Sequence, residues 1–306
     1  PIQPAQAPKR IAGAGAGPAG LSFAIPAAQP DHAVTLFDAA TEIGGQLNIA
    51  KKVPGKEEFH EMLRYFRRQI DLQNVAVKLN TRVSADQLAA AGFDEIILAT
   101  GIQPRVPAID GVGHPKVLNY LNVLRDEKPV GQRVAVIGAG GIGFDVSEYL
   151  AHTGESGALA PQKFYEEWGI DTTYAQPGGL RRPQAEPPAR RVHLLQRKST
   201  KVGDQLGKTT GWIHRTSLKA RRVAMHSSVN YERIDDAGLH VTVDGHPQVL
   251  EVDTVVVCAG QEPLRELHDA LLAAGCSVHL IGGADLAAEL DAKRAIDQGT
   301  RLAARI

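Results

Sequence analysis

Apolar residues in this chain come in short runs, some carrying a polar residue, separated by stretches of helical spacing. Residues 9–14, 34–38, 96–101, 133–137, 192–196 and 254–257 hold such runs, rich in Val, Ile, Leu and Ala. Runs apolar on both faces predict strands buried in a parallel sheet, because helices cover both sides of such a sheet. Helices are predicted over residues 18 to about 29, 56–70, 143–151 and 287 to about 298. The second carries Phe59, Met62, Leu63, Phe66 and Ile70 on one stripe, either a core face or an interdomain surface. Residues 75–79 and 81–84 read as further short strands. Strands alternating with helices predict an α/β fold. Two places resist the pattern. Gly13 and Ala14 stand where a buried strand carries branched residues. Pro26 falls inside the first helix, where it removes a hydrogen bond and predicts a kink or an early end.

Two glycine-rich turns sit at strand-to-helix junctions. Gly15-Ala16-Gly17-Pro18-Ala19-Gly20 joins the first strand to the first helix, and Gly138-Ala139-Gly140-Gly141-Ile142-Gly143 repeats the arrangement about 120 residues later. In such a loop the first glycine allows the tight turn, the second lets backbone approach a pyrophosphate, and the third brings helix and strand together. The phosphates rest on free N–H groups at the positive end of the helix. One loop is a weak signal; two in one chain predict that two dinucleotides are held at once, most often to pass a hydride between them. The fold expected is therefore two Rossmann-like dinucleotide-binding domains, the second inserted into the first. Residues 1–110 and 264–306 form the first domain and 111–263 the second, with a Pro- and Gly-rich insertion at 152–190.

The strand ends separate the two loops. Residues 34–37 lead into Asp38, 23 residues after Gly15, near the spacing of a carboxylate that binds adenosine ribose hydroxyls. An acid there repels a 2′-phosphate, so the first loop is expected to take FAD or NAD. Where the first domain places Asp38, the second places Arg197-Lys198, at the end of the corresponding strand. Basic residues suit a 2′-phosphate, a solvated turn being the other reading; set against the acid of the first domain they point to NADPH. Gly44-Gly45-Gln46 is placed to wrap the ribityl or pyrophosphate part of a long cofactor. Lys56 is a phosphate ligand or a solvated lysine, and Asp285 is the cap of the final helix or, in a flavin protein, a partner of the ribityl chain.

Composition narrows the choice. Thirty-four basic and 34 acidic residues cancel, which argues against nucleic acid or an anionic membrane as partner. No apolar run approaches the length of a membrane span, and no secretory leader is visible. Cys258 and Cys276 form no Cys-x-x-Cys pair and are too few for a four-thiolate iron–sulfur cluster, so no metal site is expected and the cytoplasm is the expected location. The opening Pro1-Ile2-Gln3-Pro4-Ala5-Gln6-Ala7-Pro8 reads as a linker or cut end, and the chain as a piece of something longer. Gly207-Lys208-Thr209 imitates the end of a Walker loop, but Val202 stands where its first glycine is required, so no NTPase is expected.

The order of these motifs, continued by Ala99-Thr100-Gly101, Cys258-Ala259-Gly260 and Gly282-Gly283-Ala284-Asp285, resembles the two-dinucleotide-domain flavoproteins typified by glutathione reductase. More closely, Gln196-Arg197-Lys198 with residues 207–215 is similar to the C-terminal half of bacterial NADPH-dependent 2,4-dienoyl-CoA reductase, over almost the whole chain after residue 9. In that family an N-terminal barrel carries FMN and the substrate site, and a four-cysteine segment carries a 4Fe-4S cluster. The resemblance implies that FAD meets Gly15, Gly17, Ala19 and Gly20 at its pyrophosphate and Asp38 at its ribose. Gly45, Gln46, Lys56, Thr100 and Gly101 would lie along FAD, Val83 at its adenine through backbone, and Gly283 and Asp285 at its ribityl chain. NADPH would meet Gly138, Gly140, Gly143 and Gly260, with Arg197 and Lys198 on its 2′-phosphate. Glu289 would lie near the meeting point of nicotinamide and flavin, as the one candidate catalytic side chain. The alternatives are a free-standing NAD(P)H reductase feeding a ferredoxin-like partner, and a docking module that has lost nucleotide binding.

Overall fold

In the computed structural model, which describes residues 7–29, 31–287 and 291–306, the chain forms two units, each built on a five-stranded parallel sheet. Of the described residues, those up to Asn48, Glu58–Gln103 and those from Gln261 onward make unit 1, and Ile49–Glu57 with Pro104–Gly260 make unit 2. The dividing lines thus differ from 110/111 and 263/264. Ile49 and Val53 belong to unit 2 because they are buried in its core with Tyr120 and Phe144.

The chain begins with β1 (Arg10–Ala14), α1 (Pro18–Ala28), β2 (Ala33–Phe37), a single turn α2 (Leu47–Ala50), α3 (Phe59–Leu72), β3 (Ala76–Lys78), α4 (Ala85–Ala90), β4 (Glu95–Leu98) and β5 (Ile102–Pro104), all in unit 1 except that α2 crosses into unit 2 at Ile49 and β5 at Pro104. Unit 2 supplies β6 (Val117–Asn119), α5 (Tyr120–Leu124), β7 (Arg133–Ile137), α6 (Gly141–Ala151), α7 (Pro161–Trp168), β8 (Arg191–Leu195), α8 (Gly211–Ala220) and β9 (Ala224–His226). It continues through β10 (Val229–Asp235), β11 (Gly238–Val243), β12 (His246–Leu250) and β13 (Thr254–Val257). The chain then returns to unit 1 with β14 (Gln261–Pro263), α9 (His268–Ala273), β15 (Val278–Leu280) and α10 (Ala292–Ala303).

The unit 1 sheet runs β15-β4-β1-β2-β3 and the unit 2 sheet β6-β13-β7-β8-β9, every pair parallel. Central strands are buried almost completely, as their apolar runs require: Ile11, Leu36, Ile97, Val134, Leu194 and Val255 are all excluded from solvent. Gly13 fits this core because Leu36 of the paired strand fills the space that its side chain would take. Pro26 does not end α1, which runs on to Ala28. The Ser22 carbonyl, which the proline leaves without its helical donor, accepts the Thr300 hydroxyl of α10 at 3.4 Å.

Three local expectations are corrected. Residues 81–84 form no strand; Ser84 caps α4, its hydroxyl accepting the Gln87 N–H at 3.2 Å while the Gln87 side chain accepts the Ser84 N–H at 2.9 Å. The helix expected from 56 begins at Phe59. The last helix begins at Ala292 rather than 287 and is capped by Asp291, whose carboxylate accepts the Lys293 N–H at 2.8 Å. The antiparallel sheet β10-β11-β12 was not foreseen, although Asp244-Gly245, both with positive φ (48° and 83°), is the two-residue turn that suits a hairpin. The 152–190 insertion folds into α7 and one 3-10 turn at Pro177–Gly179. Among the described residues no helix is long and apolar enough to cross a membrane.

Candidate dinucleotide-binding loops

In unit 1 the chain leaves β1 through Gly15, whose φ of +109° is open to glycine and strained for other residues. Gly17 is the N-cap of α1, extended at φ −79° and ψ −175°, and no side chain caps the helix. The first-turn N–H groups of Ala19 and Gly20 are therefore left to an outside acceptor, and Pro18, which has no N–H, takes the first helical position. A side chain on Gly20 would overlap the Gly15 carbonyl, and one on Gly15 the Ala99 carbonyl. These contacts hold helix and strand too close for anything but glycine.

Neighbouring segments brace the loop. Asp38 accepts the Ala16 N–H at 2.7 Å and the Ala40 N–H at 2.8 Å. Gly44 donates to the Ala16 carbonyl at 2.8 Å, and Gly45 packs backbone to backbone on Gly17, with half-buried Gln46 next in the chain. Thr81 donates its N–H to the Asp38 carbonyl at 2.8 Å, which carries Val83 past the acid and onto the cluster holding Phe37. On the other side Thr100 donates its hydroxyl to the Leu264 carbonyl at 2.6 Å, and Gly101 accepts the Leu264 N–H at 3.0 Å. Gly283 lies directly against Gly101 and Ile102. Asp285 is not the cap of α10; its carboxylate accepts the Gln298 amide at 2.8 Å. Every expected flavin ligand but one thus converges on one end of the unit 1 sheet. The exception is Lys56, which belongs to unit 2 and lies 2.7 Å from the Asp145 carboxylate on α6. Glu289 lies outside the described residues.

Unit 2 repeats the turn. Gly138 has φ +105°, Gly140 is an extended, side-chain-free N-cap at φ −82° and ψ −173°, and a side chain on Gly143 would overlap the Gly138 carbonyl. The Cβ positions of Gly140 and Gly141 meet nothing within 4 Å, so there is room for a phosphate against the backbone. Cys258-Ala259-Gly260 passes directly beneath Gly138. Both cysteines are free, and burial, with the Asp145 charge adding to it, pushes the Cys258 thiol far up, so it stays protonated.

Arg197 and Lys198 are exposed just past the end of β8. The register corrects their expected equivalence to Asp38: Ala14 pairs with Phe37 and Ile137 with Leu195, so the counterpart of Asp38 is Gln196. Its side chain turns into the following loop, donating to the Thr200 carbonyl at 2.9 Å and the Lys198 carbonyl at 3.2 Å. Tyr231 of β10 lies by this strand end; burial pushes its phenol up, against the opposing pull of the Arg197 charge and the Gly138 backbone. Arg105 donates to the Ala259 carbonyl at 2.7 Å and lies against Gly260, a cation beside the second loop.

A family model described as pyridine nucleotide-disulphide oxidoreductase matches residues 10–285, a span that includes both loops. The chain belongs to that family. It is a flavin-dependent pyridine-nucleotide oxidoreductase module, from a family that binds FAD and NAD(P)H, and both loops offer the uncapped N–H groups such cofactors need. It is similar to the metal reductase of Desulforamulus reducens, 27% identical over 283 residues, which cover 88% of this chain and 40% of that protein. It is also similar to the NADH oxidase of Thermoanaerobacter brockii, 28% identical over 288 residues, covering 92% of this chain and 39% of that one. Among solved structures, a 2-naphthoyl-CoA reductase bound to 2-naphthoyl-CoA matches with a TM-score of 0.83 and 25% identity, over 100% of this chain and 41% of that one. The chain spans about two-fifths of the length of each.

Gln298, Arg105 and Tyr231 were not singled out from sequence, and Gln196 was named only within the motif that carries the resemblance. Gln298 carried a signal: it is a polar residue beside Ala295, Gly299 and Leu302, on the side of α10 that faces the core. Arg105 lies in a stretch of Pro and Gly without periodicity, which carried none.

Proposed function

We propose that this chain is the electron-input module of a larger flavoenzyme. Unit 2 binds NADPH, unit 1 holds FAD, and hydride passes from the nicotinamide to the flavin. The observation that carries this reading is the contrast between two matched loops: a carboxylate bound to the loop backbone in unit 1, and two exposed cations just past the equivalent strand in unit 2. Bound FAD would supply the ring that accepts hydride. The chain's own residues do the rest: Ala19 and Gly20 N–H groups take the phosphates, Asp38 fixes the loop and offers an acceptor to the ribose, and Asp285 offers one to the ribityl chain. Arg197 and Lys198 take the 2′-phosphate by charge-assisted bonds. Hydride transfer of this kind needs orientation and electrostatics, not a protein nucleophile.

For the whole enzyme we favour a 2,4-dienoyl-CoA reductase of unsaturated fatty-acid oxidation, working in the cytoplasm. Support comes from the Gln196-Arg197-Lys198 and 207–215 segments and from the likeness to a reductase solved with a CoA thioester. The FMN barrel and iron–sulfur segment would be its partners and would receive the electrons one at a time, since two cysteines cannot hold a four-thiolate cluster. The test is to supply NADPH to the purified chain. It is expected to be yellow, to contain FAD, and to reduce a quinone or dye while leaving 2,4-dienoyl-CoA untouched. Bound FMN or NAD without FAD would refute the cofactor assignment, and dienoyl-CoA turnover at the dye rate would refute the division of labour.

A further inference from the structure

Gln298 and Gly299 are consecutive residues of α10 that touch the two ends of the region expected to hold FAD in unit 1. The Gln298 side chain is bidentate: Oε1 accepts the Gly282 N–H at 2.8 Å, and Nε2 donates to Asp285 Oδ2 at 2.8 Å. A backbone N–H can only donate, so the amide has one possible orientation, with its donor facing the carboxylate. One carboxylate oxygen is thereby held, and among the described residues Oδ1 is open to a ligand hydroxyl. Arg265 holds the backbone of the same turn, donating from Nε to the Ala284 carbonyl at 2.6 Å and from Nη2 to the Asp285 carbonyl. With the backbone held, the free variable is the rotation of the Asp285 side chain, and Gln298 fixes it. Gly299 lies so close to the Ala19 carbonyl and the Phe23 N–H of α1 that no side chain fits between the helices. One turn of α10 therefore spaces the phosphate-loop helix from the Asp285 carboxylate.

We propose that Gln298 is a positioning residue: it sets the direction in which Asp285 accepts from the ribityl chain, and so controls retention of the flavin end of FAD separately from its ADP end. This rests on the reading that unit 1 holds FAD. The test compares FAD and ADP binding to the purified chain, stripped of bound flavin, by titration calorimetry at about pH 8 and about pH 5.5. Gln298→Glu keeps the acceptor for Gly282 and puts a second carboxylate against Asp285. Like charges at hydrogen-bond distance share one proton as pH falls. The expected result is FAD binding weakened about tenfold at the higher pH, roughly 1.4 kcal/mol, with the loss shrinking at the lower pH and ADP binding unchanged at both. Gln298→Met, which loses both polar atoms, is expected to weaken FAD equally at both pH values and again to spare ADP, so ADP binding reports that the variants fold. Equal losses for FAD and ADP, or no loss in Gln298→Glu, would overturn the positioning role. Unaltered protein that binds ADP and not FAD would overturn the FAD reading of unit 1 and the proposal with it.

Discussion

The phosphate loops of the two units are close copies in backbone but differ in what surrounds them. Their first glycines have φ of +109° and +105°, their N-caps share the same extended conformation, and in both the last glycine closes on the carbonyl of the first. The likeness extends to the strand starts: Asp94 accepts the Arg10 N–H at 2.7 Å, and Asp253 accepts the Arg133 N–H at 2.9 Å. Around loop 1, however, Asp38, Gly44, Gly45, Gly282 and Gly299 all bear on residues 16–19. Around loop 2 the space over Gly140 and Gly141 is empty, and Gln196 turns its side chain away into its own turn. On the proposed reading, the braced loop suits a cofactor that stays and the open one a nucleotide that leaves after each turnover.

The sharpest way to break the comparison is through the glycines that both loops share. Gly20→Val and Gly143→Val each drive a branched side chain into a carbonyl, and each is expected to cost about 3 kcal/mol or more in thermal or denaturant unfolding. Gly140→Ala meets no atom and is expected to leave stability within about 0.5 kcal/mol while weakening nucleotide binding. If Gly140→Ala unfolds the protein as readily as Gly143→Val, the openness of loop 2 is illusory.

Next in size is the basic pair. Arg197→Ala with Lys198→Ala is expected to raise the KM for NADPH and leave NADH nearly unaffected, each lost charge-assisted bond costing about 1.5–3 kcal/mol. Steady-state kinetics with both nucleotides decide it; equal losses would reduce the pair to a solvated turn. Asp38→Ala removes two backbone hydrogen bonds and is expected to weaken FAD by about 1–2 kcal/mol without changing the NADPH KM. Calorimetry with FAD and kinetics with NADPH separate the two, and a matching loss at both sites would deny that the loops are independent.

The smallest effect concerns a difference at the far end of the sheets. Burial alone would raise the Glu95 carboxyl, but hydrogen bonds from Lys9, Ser277 and His279, with the Lys9 charge, outweigh it and hold Glu95 at about 2. Its counterpart next to Asp253 is the uncharged Thr254, whose hydroxyl accepts the Gly131 N–H at 3.0 Å. A depressed carboxylate contributes stability above its unfolded pKa and loses it as pH falls through the folded value. Glu95→Gln is therefore expected to cost about 1 kcal/mol near neutrality, less than the full pKa difference because solvent screens the pair, and the cost is expected to fade between about pH 4.5 and 2. Unfolding curves of parent and variant that stay parallel through that range would remove Glu95 from the account.

The central strands, the two loops and the acid after β2 were legible because each rests on short-range chemistry: an apolar run, a glycine turn, a charge at a strand end. Gly13 and Pro26 were misread as weaknesses because their explanations, Leu36 across the sheet and Thr300 across the helices, are distant in sequence. The equivalence of Arg197 to Asp38 missed by one residue, since strand register is set by pairing that composition does not reveal. Lys56 was assigned to the flavin by similarity, yet the packing of Ile49 and Val53 takes its segment into unit 2.

The interruption of unit 1 also governs the order in which the protein is made. Unit 2 has all its strands once Gly260 is synthesised, whereas unit 1 still lacks β15, the strand beside β4, and α10, which covers α1. At about 5–20 residues per second, the first phosphate loop waits tens of seconds on the ribosome with one sheet edge unpaired and Ala19, Ser22 and Phe23 still uncovered by Gly299. The half begun first is the half finished last, so a chain stalled before β15 would carry a complete unit 2 and an unfinished unit 1, and would present its β4 edge to other chains.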